Sequence, residues 1–237
     1  MLTRSVSLAS PDSFHWSFPQ CSALILAIFF LFSGLKARAQ TEPTEAAAPK
    51  SEINIVSGSS VGSIHLFGYA DNREISLFGV RYFRPMGHFI ASRFDYVTEV
   101  LPVVLLRGPS KYGADSRTLT SERTVSYGAD ITPIGARLLW RSGKLWKPYL
   151  LGDGGLLYFK QRALSTRGTH LNFSAEFGAG IQFNLRSQNQ LSIGYSLYHF
   201  SNGDTGARNP ALDSNLIYTA ITFNPPRIAL PFHSHRR

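Results

Sequence analysis

Near the end of the 237-residue chain stands Tyr198-His199-Phe200-Ser201-Asn202-Gly203, followed by Asn209-Pro210 and then Asp213. A histidine, a serine and a carboxylate in this order are the residue types of nucleophilic catalysis. A serine hydroxyl is a weak nucleophile at neutral pH and needs an adjacent base. His199 can take its proton, and Asp213 can hold the imidazole in the required tautomer and steady the imidazolium. Attack on an acyl carbonyl creates an oxyanion that needs aimed donors. Asn202, the Gly203 N–H and Asn209 lie in one loop and are the candidates for oxyanion or loop support. Residue types alone do not decide the matter, since His-x-Ser recurs by chance and an ordinary strand end reads the same way.

What raises the motif above chance is the strand that carries it. In extended chain, residues two apart share a face. From Leu191 the odd positions read Leu191, Ile193, Tyr195, Leu197, His199 and Ser201, and the even ones Ser192, Gly194, Ser196, Tyr198, Phe200 and Asn202. His199 and Ser201 therefore continue the apolar face. The neighbouring stretch alternates without an error over fifteen residues. Leu171, Phe173, Ala175, Phe177, Ala179, Ile181, Phe183 and Leu185 are all apolar, and the residues between them are polar or glycine.

Such a strand exceeds the 5–6 residues or so usual in soluble sheets. It suits an outer-membrane barrel with lipid outside and a polar interior. Strands are expected near 60–70, 74–84, 88–106, 123–140, 146–161, 169–185, 190–202 and 214–223, with a longer link around 107–122. The predicted fold is all-β: an eight-stranded, antiparallel, up-and-down transmembrane β-barrel of the bacterial outer membrane. On this face-by-face reading, Ser201 and His199 look toward lipid, as an enzyme acting on membrane lipids requires. Tyr149, Tyr158, Phe159, Tyr195, Tyr198, Tyr218 and Phe223 are candidates for the interfacial aromatic girdles. Alternation is equally compatible with a soluble, lipocalin-like lipid carrier whose apolar face points inward. A third reading is a non-enzymatic barrel for surface binding or envelope integrity.

The start of the chain carries the order of a secretory signal peptide. Arg4 is followed by the apolar block 22–35 and by Ala37-Arg38-Ala39, a small-x-small cleavage site. Residues 1–39 are expected to be the signal peptide, 40–58 a flexible N-terminal segment, 59–223 the barrel domain and 224–237 a C-terminal extension. Cys21, the only cysteine, lies in the leader, so neither a disulfide framework nor a cysteine-ligated metal is available. Loss of the leader, with three basic residues and one acidic, takes the net charge from +9 to +7. A basic exported protein suits an anionic lipid surface better than nucleic acid.

Other clusters promise less. Gly152-x-Gly154-Gly155 has no following helix to bind an anion and reads as strand glycines lining a crowded interior. Glu176 is expected on the polar side, in a network with Asp153 or Arg137. The histidines have no ligand-like spacing, and the terminal His233-Ser234-His235 reads as a solvated end, so no metal is assigned.

A signal peptide, about eight strands and the C-terminal pattern His-x-Ser-Asn, Asn-Pro, acidic residue together resemble the lipid A 3-O-deacylase (PagL-like) family of outer-membrane enzymes. The resemblance is sharpest over Tyr198–Asp213. It implies a cofactor-free serine hydrolase that removes the ester-linked acyl chain at position 3 of lipid A in lipopolysaccharide. His199 matches the family histidine, Ser201 the nucleophile, and Asn209 a position that assists the oxyanion. The family's acidic member is commonly glutamate, so Asp213 departs from it by one methylene. The implied partners are lipid A as substrate and the surrounding outer-membrane lipids, with no nucleic acid; a homodimer stays open.

Overall fold

The computed structural model describes residues 51–185 and 189–223, which lie in one compact unit. The predicted leader, the histidine-bearing tail and the C-terminal extension lie outside the described residues. Eight strands follow in order: β1 (Glu52–Ile64), β2 (Glu74–Phe89), β3 (Ser92–Pro109), β4 (Arg123–Leu139), β5 (Trp146–Phe159), β6 (Leu171–Asn184), β7 (Gln190–Ser201) and β8 (Leu212–Phe223). Each pairs antiparallel with its sequence neighbours, and β8 pairs with β1 to close the barrel. The predicted all-β, eight-stranded architecture is the one observed.

The alternation seen in the sequence is resolved into an outside and an inside. On β6, Leu171, Phe173 and Phe177 are exposed, Phe177 by 60%, while Asn172, Ser174, Glu176 and Gln182 are buried. A soluble carrier would reverse this arrangement, so the lipocalin-like alternative is overturned. The apolar outer band continues through Phe78, Val80, Val100, Ile131, Ile193, Ile217 and Ile221. Contiguous exposed apolar surface of this extent belongs in lipid.

Polar groups inside a barrel must satisfy one another, because hydrocarbon offers no partners. Arg137 donates to Asp95 Oδ2 (2.6 Å) and Glu52 Oε2 (2.8 Å), and Arg93 also pairs with Glu52 (2.5 Å). Arg81 pairs with Glu99 and, at 3.0 Å, with Glu176. Glu176 thus joins an interior network as expected, although its cation is Arg81 and not Arg137.

The predicted boundaries need one large correction. The first strand spans Glu52–Ile64 instead of 60–70, so it begins inside the segment read as flexible. Glu52 and Asn54 look like a polar tail in sequence, but both are buried, because the interior of this barrel takes in polar groups alongside apolar ones such as Val56. Residues 65–70 leave the ladder and cross the rim instead. Four expected girdle residues also turn inward: Tyr149, Phe159, Tyr198 and Tyr218 are buried, whereas Tyr158 and Phe223 are exposed. Tyr149 donates to Tyr218 Oη at 3.0 Å, and Tyr198 donates to Asp130 Oδ2 at 2.6 Å. Of the three β5 glycines, Gly155 is the close approach: a Cβ there would stand 2.1 Å from Ile131 O. Gly152 and Gly154 face outward, opposite Phe177 and Ala175, instead of lining the interior.

The connections fall into two sets. Links after β2, β4 and β6 are short, and the first of them is the two-residue turn Ile90-Ala91, both with left-handed φ. Links after β1, β3, β5 and β7 are longer and share the opposite end. Short periplasmic turns and long surface loops are the outer-membrane pattern. The ends of β7 and β1 and the start of β8 therefore lie at the cell-surface rim.

Candidate active site

Three elements meet at that rim. β7 brings His199 and Ser201, two residues apart on the outer face. β8 brings Asp213, whose register partner on one side is His199 and on the other Ile64 of β1. Directly opposed residues have Cβ atoms only about 4.5–5.5 Å apart. That proximity lets a short side chain reach: His199 Nδ1 lies 2.6 Å from Asp213 Oδ1. With Nδ1 facing the carboxylate, Nε2 is the nitrogen left for the substrate side. His199 keeps 23% of its side chain exposed while Asp213 is fully buried.

The second carboxylate oxygen is held by backbone. Asp213 Oδ2 accepts from the N–H groups of Leu66 (2.8 Å), Phe67 (2.7 Å) and Gly68 (2.9 Å). Three consecutive amides form an anion-binding concavity. With the imidazole, four donors surround one buried carboxylate, the arrangement that suits its ionised form. The loop can reach it because residue 68 is glycine. A Cβ at Gly68 would stand 2.3 Å from Ala211 O, and Ala70 N–H donates to that same carbonyl at 3.0 Å. None of these donors was anticipated from the sequence, since a backbone amide carries no residue-type signature. The only hint was a glycine beside an expected strand end.

The β7–β8 loop is ordered by Asn202. Its backbone N–H donates to Asn209 Oδ1 (3.0 Å), its Nδ2 to Arg208 O (2.7 Å), and its Oδ1 accepts from Asp204 N–H (3.1 Å). Buried, and bonded through its backbone N–H, its Nδ2 and its Oδ1, Asn202 supports the loop. Asn209 uses its Oδ1 in the loop, which leaves its amide donors for a substrate oxygen. Gly203 adopts φ +59°, and a Cβ there would stand 2.9 Å from the Phe173 ring.

Phe173 is also the register partner of Ser201 on β6. Among the described residues Ser201 Oγ makes no hydrogen bond with His199, although both share the outer face. Catalytic contacts of this kind often tighten only when substrate arrives.

One carboxylate group could meet a cation: Glu99, Asp153 and Glu176 have ligand oxygens within 4.8 Å of one another. They belong to the interior network of Arg81, away from the rim.

Residues 110–222 match the family model of lipid A 3-O-deacylase (PagL). The match takes in β4 to β8 and every candidate site residue on β7, β8 and their loop, so the resemblance read from the sequence stands. Among solved structures, the outer-membrane enzyme PagL superposes with a TM-score of 0.51 at 15% identity, covering 71% of this chain and 97% of that one. Neisserial surface protein A gives a TM-score of 0.34 at 12% identity, covering 74% and 95%. No curated protein matches. Barrel and family match together place the protein in the bacterial outer membrane, and the match supports a lipid A deacylase.

Proposed function

We propose that the protein is a serine hydrolase that removes the ester-linked acyl chain at position 3 of lipid A. The observation that carries this reading is the His199–Asp213 pair, clamped by three backbone amides beside Ser201 on the lipid-facing side of the surface rim. Lipopolysaccharide meets the protein at that level, with its acyl chains against the apolar band and its sugars among the loops.

The chemistry follows from the groups in place. His199 Nε2 takes the Ser201 proton as Oγ attacks the ester carbonyl carbon. Asp213 stabilises the imidazolium that results and does not itself take a proton. The carbonyl oxygen becomes an oxyanion, met by the Asn209 amide and the Gly203 N–H. Collapse breaks the carbon–oxygen bond to the sugar, and the leaving sugar oxygen takes the proton from His199. Water, activated by His199, then attacks the acyl-serine, and the fatty acid leaves with Ser201 restored. The cycle calls for no cofactor.

Mass spectrometry of lipid A from cells expressing wild type or Ser201→Ala tests the reading. Wild type is expected to yield lipid A lighter by one hydroxyacyl chain, while Ser201→Ala yields intact lipid A at equal amounts of folded barrel. Unaltered lipid A with wild type, or continued deacylation by the variant, would sink it.

A further inference from the structure

The loop that clamps Asp213 carries a side chain with no task in the clamp. Phe67 donates its N–H to Asp213, yet its ring is 71% exposed. That ring stands against the His199 imidazole, centroids 5.7 Å apart and planes at 81°. Its neighbours are fixed on both sides. Leu66 and Gly68 donate to the same carboxylate, and Ala70 is buried and bonded to Ala211 O. An aromatic so exposed on a backbone so constrained gains nothing in water, whereas an acyl chain laid across it would remove apolar area from water. On the other side of the site, Phe173 lies directly opposite Ser201 and is also exposed. The nucleophile and its base thus stand between two exposed rings, one from β6 and one from the β1–β2 loop.

We propose that the Phe67 side chain is a positioning residue that reads the acyl chain of the substrate. It packs on the first carbons beyond the ester carbonyl and sets that carbonyl against Ser201 and His199. The proposal rests on the hydrolase reading above and adds where selectivity for a long acyl chain comes from. Leu66, exposed beside Phe67, extends the same apolar contact.

Truncation separates the ring from the clamp, because Phe67→Ala keeps the backbone N–H that Asp213 needs. The purified full-length protein in detergent micelles would be assayed on two model esters, with 2-carbon and 14-carbon acyl chains, the shorter having only a methyl group beyond its carbonyl. Phe67→Ala is expected to lower the ratio of kcat/KM for the long ester over the short one about tenfold, a difference of about 1.4 kcal/mol. The change should fall on KM more than on kcat. Phe67→Leu, which restores apolar contact, should recover most of that ratio. Phe78→Ala, a lipid-facing aromatic on β2, should leave the ratio as in wild type. An unchanged ratio in Phe67→Ala, or an equal loss on both esters, would overturn the proposal. Failure of the hydrolase reading looks different, because wild type would then cleave neither ester, or Ser201→Ala would cleave both like wild type.

Discussion

Asp213 reaches His199 with an arm one methylene shorter than the glutamate that the resemblance implies. The reason is register. His199 and Asp213 are directly opposed across the β7–β8 ladder, so the shorter side chain spans the gap at 2.6 Å. The rest of its position is set by the amides of Leu66, Phe67 and Gly68, which hold the far oxygen. Asp213→Asn keeps the size but places an amide where four donors converge. Either the imidazole or the loop then loses its acceptor, and the tautomer of His199 is no longer enforced. Activity is expected to fall roughly ten-thousand-fold, measured as release of fatty acid from purified lipopolysaccharide. A variant within tenfold of wild type would show that Asp213 does not orient the base. The residue types of this site could be read from the chain because side chains carry them. The amides that hold Asp213 could not, since every residue but proline offers the same N–H.

Elements place what residues perform. The alternation of β6 and β7 was readable because an outer-membrane strand separates apolar from polar residues at every step. β1 was harder, for its inward residues include Glu52, which resembles a solvated tail until Arg93 and Arg137 are seen beside it. The strand expected near 60–70 runs into the 65–73 connection, where Leu66, Phe67 and Tyr69 are apolar enough to pass for strand. In three dimensions those residues cross the rim, and Gly68 decides how closely. A methyl group at Gly68 would push the loop from Ala211 and draw the three amides away from Asp213. Gly68→Ala is therefore expected to cost roughly a hundredfold in kcat, the scale of an ångström-level misplacement. The barrel itself should be spared. Compact migration in unheated gels, unchanged from wild type, is the control, and full activity in the variant would refute the role given to the loop.

The outer face of the molecule is inverted relative to a soluble protein, an exposed band rich in isoleucine and phenylalanine, while the interior combines apolar side chains such as Phe83, Phe159 and Leu101 with buried arginine, aspartate and glutamate. A charge on the outer face should therefore be penalised. Val100→Arg, midway along β3, is expected to destabilise by about 2–4 kcal/mol if it sits at the bilayer midplane, read from denaturant unfolding in lipid vesicles. A loss below 1 kcal/mol would place that level outside the hydrocarbon. The same closure that removes every strand edge has a consequence for when the protein can act. Asp213 is the second residue of the last strand, and its three amide donors follow the first strand after His65. The carboxylate that orients the base thus gains its amide clamp only once the first and last strands have paired. A half-assembled chain in transit past other lipids carries its serine and histidine without the clamp that fixes Asp213. Activity becomes a timer that starts when insertion is complete, and its onset should coincide with the appearance of the closed barrel.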